Sequence, residues 1–188
     1  MLIPIILGSK VDVEYATQIV NVLNKYNVNS VIRVCSAHKN PTKVLNLISE
    51  YDSDIEVPLY ITIAGKSNAL SALIDGLTDK PVISSPPLTN NTMYDIYSSI
   101  NMPRGICPLV VLNATNCAVA AIKICAVRDN SLKQIVNDLH MQNKHIINID
   151  DVKNKYKSHC FDNVNVNQPT EYENNIIYND QNTRVKLH

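Results

Sequence analysis

The chain lacks a surplus of charge of either sign: 17 Lys and Arg balance 17 Asp and Glu across 188 residues. No global field draws it to nucleic acid or to an anionic membrane, so an anionic ligand has to be held by a local arrangement. Glycine is scarce, with four in the whole chain. Neither a P-loop nor a Gly-x-Gly-x-x-Gly fingerprint is present, which argues against a diphosphate cofactor. No apolar run approaches a membrane span. The opening run Leu2 to Leu7 is interrupted by Pro4 and stops at Gly8-Ser9-Lys10, far short of a signal peptide. Cys35, Cys107, Cys117, Cys125 and Cys160 form an odd set without a Cys-x-x-Cys pair. Buried reduced thiols are the simplest account, with no metal and no redox role. Cys117 is the one to watch, since a first-turn helical position can lower a thiol pKa. There is no internal repeat. These absences leave a cytoplasmic protein, and 45% hydrophobic against 18% charged residues suits one domain with its own core.

What is present is a regular alternation. Leu2–Leu7 reads as a strand buried on both faces. From Asp12 the period changes, and Val13, Ala16, Val20 and Leu23, with Ile19 and Tyr26, fall on one helical stripe. Val31–Cys35 reads as a second, buried strand, and Pro41 opens a helix whose apolar positions begin with Val44, Leu45 and Ile48. Pro58–Ile63 is a third strand, followed by Ala64-Gly65-Lys66-Ser67-Asn68 and a short helix to about Leu77. Pro81–Ser84 is a fourth strand, stopped by Ser85-Pro86-Pro87-Leu88. A helix over Thr92–Ile100, a turn at Met102–Gly105, a strand over Leu109–Leu112 and a helix to about Val127 complete residues 1–128.

Strands alternating with helices predict a three-layer αβα fold, with a parallel five-stranded sheet and right-handed crossovers. The order 2-1-3-4-5, flavodoxin-like, is the favoured topology. Residues 129–150 contain a further helix, about Ser131 to Lys144, and 151–188 are a polar, asparagine-rich tail, either mobile or an arm on a neighbouring subunit.

That topology gathers four turns on one rim: Gly8–Lys10, Ser36–Pro41, Ala64–Asn68 and Ser85–Leu88. Ligands of open α/β sheets bind at this edge, where helix amino termini offer free N–H groups to an anion. Ser9, Ser36 and Lys39 suit a single phosphate, and Asp12 suits paired ribose hydroxyls. His38 is the only histidine before residue 140, and an imidazole suits proton transfer. Plainer roles compete: Asn40 as a helix cap with Pro41 as first helical residue, and Asp12 as a cap.

Gly8-Ser9-x-x-Asp12, Ser36-Ala37-His38-Lys39-x-Pro41, Ala64-Gly65-Lys66-Ser67-Asn68, Pro81 to Leu88 and Pro103-x-Gly105 occur in one order and spacing over about residues 3 to 127. In this the chain resembles the phosphoribosylaminoimidazole carboxylase family of purine biosynthesis. Lys39 and Lys66-Ser67-Asn68 side with the carbon-dioxide-using form, which in animals is fused to a succinocarboxamide synthetase. The related mutase form usually has Ser-Ala-His-Arg and a glycine-rich segment. Val11 replaces the second serine of the family's usual Gly-Ser-x-Ser-Asp. Ala69 and Ser71 stand where glycines are usual, and the turn Asn113–Cys117 lacks the family's glycine, so these loops are expected to take other shapes.

The resemblance implies that Ser9, Ser36 and Lys39 hold the substrate phosphate and Asp12 the ribose. His38 would carry the proton with Lys39 beside it, and Gly65, Lys66, Ser67 and Asn68 would lie near the imidazole and carbon dioxide. It implies no cofactor or metal, a homo-octamer or other homo-oligomer, and no nucleic-acid or membrane partner. The alternatives are a carboxyaminoimidazole ribonucleotide mutase, a carboxylase of another mononucleotide, and a catalytically silent binding or assembly protein.

Overall fold

The computed structural model describes residues 1–88 and 93–155. The chain divides into two compact units, Met1–Val136 and Asn137–His188. The first holds β1 (Leu2–Leu7), a 3-10 turn (Lys10–Asp12), α1 (Val13–Lys25), β2 (Asn29–Val34), α2 (Pro41–Asp52), β3 (Tyr60–Ile63) and α3 (Ala69–Asp75). After these come β4 (Val82–Ser84), a second 3-10 turn (Met93–Ile96), α4 (Tyr97–Ile100), β5 (Leu109–Val110) and α5 (Ala114–Ala126). The last helix, α6, runs Asn130–Lys155 and crosses the unit boundary.

The strands form one sheet in the order β2-β1-β3-β4-β5, every neighbouring pair parallel. Side chains alternate across a strand, so one sequence supplies two cores. Ile3, Ile5 and Leu7 of β1, with Ile61 and Ile63 of β3 and Ile83 of β4, pack against Ala16, Ile19 and Leu23 of α1 and Cys117, Ala121 and Ile122 of α5. Ile6, Tyr60 and Val82 face the other way, onto Val44, Leu47, Ile48 and Tyr51 of α2 and Leu70 and Ile74 of α3. Helices therefore cover both faces, which is what near-continuous apolar strands require.

Local chemistry sets the connections. α1 ends in a Schellman motif: Asn27 takes the left-handed conformation at φ 56°, its N–H donates to the Asn24 carbonyl, and the Val28 N–H donates to the Leu23 carbonyl. Asn40 caps α2 by accepting from the Lys43 N–H at 3.0 Å, and Pro41 fills the first helical position. Both plainer roles foreseen for these residues hold.

Several sequence expectations are corrected. Leu45 is 43% exposed, while the buried positions of α2 are Val44, Leu47, Ile48 and Tyr51. Val13 is likewise exposed. α6 starts at Asn130 and continues to Lys155, past the expected end near Lys144 and into the segment read as a tail. Residues 156–188 and Thr92 lie outside the described residues. Ala69 and Ser71 sit in α3, and Asn113 has φ −96°, so the missing glycines leave no left-handed strain at these positions.

Candidate active site

Between β1 and β3 the strand order reverses, and a crevice opens at the carboxyl ends of the strands. A cavity of about 320 Å³ lies there, within the range of small-molecule sites. The turn after β1 contributes Gly8, Ser9 and Asp12, and the turn after β2 contributes Ser36, Ala37, His38 and Lys39. Ala64, Gly65, Lys66 and Ser67 follow β3, and Leu70 of α3 adds an apolar wall. Segments remote in sequence thus put hydroxyls, an imidazole, two ammonium groups and one carboxylate around one space.

The turns after β1 and β2 are held by short-range bonds. The Ser9 hydroxyl accepts from the Val11 N–H at 3.4 Å, starting the 3-10 turn. The Ser36 hydroxyl accepts from the Lys39 N–H at 3.3 Å, and its carbonyl accepts from the Asn40 N–H at 2.9 Å. His38 and Lys39 therefore sit on a closed turn directly before α2 and remain exposed to the cavity. Asp12 precedes α1 but makes no side-chain cap bond. Its carboxylate is left for other work, and partial burial holds its pKa above the ordinary value.

The loop after β3 is held from a distance. Lys66 is left-handed at φ 60°, its N–H donates to the Asp95 Oδ2 at 2.6 Å, and the Ser98 hydroxyl lies 2.7 Å from its carbonyl oxygen. Sequence reasoning missed Asp95 and Ser98 because they lie about thirty residues from the loop. Their spacing, three apart on one helical turn, was the available signal.

Several members of the expected rim do not line the cavity. Asn68 is 3% exposed: its carbonyl oxygen accepts from the Ser71 N–H, and its amide donates to Ser84 Oγ at 2.7 Å and Ser99 Oγ at 2.8 Å. It caps α3 and ties that helix to β4 and α4. Ser85, from the fourth turn, is buried and bonds Tyr15 Oη at 2.9 Å, while the Tyr15 hydroxyl reaches the Leu112 carbonyl at 2.7 Å. Lys10 also stands outside the lining. Cys117 is no activated thiol: it is fully buried, and burial pushes it up to about 12.

Comparison with known proteins identifies the family. Residues 2–145 match the family model described as AIR carboxylase. The chain is 45% identical over 133 residues to a phosphoribosylaminoimidazole carboxylase of Archaeoglobus fulgidus, covering 70% of this chain and 73% of that one. It is 34% identical over 124 residues to the Drosophila melanogaster bifunctional phosphoribosylaminoimidazole carboxylase/phosphoribosylaminoimidazole succinocarboxamide synthetase, covering 65% of this chain and 29% of that protein. The crystal structure of Treponema denticola PurE superposes with a TM-score of 0.78 at 37% identity, covering 81% of this chain and 97% of that one. Sequence, sheet order and the rim on which the cavity opens lead to one assignment: the chain belongs to the AIR carboxylase family.

Proposed function

We propose that the chain is a phosphoribosylaminoimidazole carboxylase, converting aminoimidazole ribonucleotide and carbon dioxide to carboxyaminoimidazole ribonucleotide. The observation that carries this reading is the shared cavity of Ser9, Asp12, Ser36, His38, Lys39, Lys66 and Ser67, in a chain whose relatives bear that name. Ser9, Ser36 and Lys39, gathered at the amino ends of α1 and α2, hold the phosphate. Asp12 accepts from the ribose hydroxyls. A substrate fixed at both points presents its base to the loop of Gly65, Lys66 and Ser67.

The amino-substituted imidazole is an enamine-like nucleophile, and its ring carbon attacks carbon dioxide to form one carbon–carbon bond. That carbon becomes tetrahedral and keeps its hydrogen. His38 takes this proton, the C–H electrons return to the ring, and aromaticity is restored. Lys39 and Lys66 stabilise the new carboxylate electrostatically. Asn68 serves from beneath, holding the start of α3 under the loop.

In the same reading the protein works in the cytoplasm as a homo-oligomer, an octamer by family resemblance. Free thiols at Cys35, Cys107, Cys117 and Cys125 fit a reducing compartment. Among the described residues no helix is long and apolar enough to cross a membrane. Met93, Tyr94, Tyr97 and Ile100 are 60, 82, 63 and 55% exposed on one short stretch, a face suited to contact with another copy.

The test supplies purified protein with aminoimidazole ribonucleotide and labelled bicarbonate, and in parallel with the isomeric carbamate alone. Label incorporated from bicarbonate is the expected result. Turnover of the carbamate alone identifies a mutase, and nucleotide binding without either reaction identifies a silent binder.

A further inference from the structure

The loop carrying Lys66 holds a side-chain-bearing residue in left-handed backbone, at φ 60°. Glycine would make this turn without steric penalty, whereas a residue with a Cβ resists it. Such a conformation persists only where the surroundings over-determine it, and here they do. The Asp95 carboxylate accepts from the Lys66 N–H at 2.6 Å. The Ser98 hydroxyl accepts from the Asn68 N–H at 3.0 Å and has two carbonyl acceptors in reach, of Lys66 and of Asp95, each at 2.7 Å. The N–H and C=O of Lys66 are thus both taken by one helical turn about thirty residues away. Asp95 also packs against the loop from above, since a Cβ built on Gly65 would meet its Oδ2 at 3.9 Å.

We infer that Asp95 and Ser98 clamp Lys66, and that the clamp exists to put an ammonium group at a position where glycine would be conformationally cheaper. Asp95 is a positioning residue. It acts through the Lys66 backbone, setting where the Lys66 and Ser67 side chains meet the carboxyl-bearing end of the bound base. This rests on the carboxylase reading of the cavity and deepens it, dividing the site into two parts. Ser9, Asp12, Ser36 and Lys39 grip the sugar phosphate from turns Asp95 does not touch, while Asp95 governs the side where carbon dioxide reacts.

The test compares Asp95→Ala and Asp95→Asn in the full chain. Asparagine keeps a carbonyl oxygen to receive the Lys66 N–H, whereas alanine removes the acceptor. Asp95→Ala is expected to lower kcat/KM for bicarbonate by about a hundredfold, the scale of a misplaced reacting group. Its KM for the nucleotide stays within about threefold, because phosphate contacts lie on other turns. Asp95→Asn restores most of the loss. Hydrogen exchange of the peptide spanning residues 64–68 gives a readout independent of turnover: faster in the alanine variant and normal in the asparagine variant.

Wild-type bicarbonate kinetics in Asp95→Ala overturn the inference. So does an equal loss for both substrates that asparagine does not rescue, or unchanged exchange in residues 64–68. If the wild-type chain shows no carboxylation while exchange responds as described, the reaction assignment falls and the clamp stands.

Discussion

At the scale of single residues, the site sets stability against function. Asp12 forgoes the cap bond its position offers, and burial raises its pKa. A carboxyl whose folded pKa lies above its unfolded value binds its proton more tightly when folded. Stability is then highest with the group protonated and declines as pH rises from the ordinary carboxylate value through the raised one. Above that window the wild type bears a cost that Asp12→Asn lacks. Thermal melts should show the asparagine variant more stable near neutrality, the difference vanishing in acid, while titration calorimetry shows nucleotide binding weakened about tenfold or more from loss of a charged acceptor. The thiols make a second residue-scale case. Burial pushes Cys117 up to about 12 and Cys125 up to about 11, and Cys35 is raised and buried, whereas Cys107 is exposed. Brief alkylation of the native protein near pH 8, read peptide by peptide, should label Cys107 and spare Cys35, Cys117 and Cys125 until the chain is unfolded. Cys117 was singled out for its first-turn position, but desolvation outweighs the helix dipole at a buried site, and it is the buried reduced thiol expected of the set.

At the scale of elements, most of the architecture was legible because β1, β3 and β4 are mostly apolar runs, each followed by a polar turn. β1 is buried from Ile3 to Leu7 and β3 along its full length, whereas β2, expected to be buried, is an edge strand only partly covered; Asn40-Pro41 marks the start of α2 in plain letters. What failed to read was orientation. Val44, Leu47, Ile48 and Tyr51 follow the i, i+3, i+4, i+7 pattern, and Leu45 beside them turned outward although nothing in its own chemistry required it. The clamp on Lys66 was illegible for another reason: its bonds depend on how α4 comes to rest over the loop, and no local spacing encodes that. Asn27 yields the prediction at this scale. It stands where helix ends favour glycine, so Asn27→Gly should raise unfolding stability by up to about 1 kcal/mol in urea titration, and Asn27→Ala should lower it by a similar amount.

At the scale of the whole molecule, one topological fact does most of the positioning. The order β2-β1-β3 sends α1 to one face of the sheet and α2 and α3 to the other, and the crevice left between β1 and β3 receives the turns after all three strands. The fourth turn was expected there too, but its serine is spent on Tyr15. The exposed run Met93, Tyr94, Tyr97 and Ile100 makes association between copies a whole-molecule prediction. Light scattering should report a homo-oligomer, and Tyr97→Glu should reduce its mass without changing the circular dichroism spectrum. The central claim remains that this crevice holds one nucleotide and that His38 moves the proton of its ring carbon. The most direct measurement is carboxylation by His38→Asn beside calorimetric binding of aminoimidazole ribonucleotide to the same preparation. The account predicts binding retained and turnover reduced by at least about a hundredfold, the contribution expected of a general base; turnover equal to wild type, with the nucleotide bound, would contradict it.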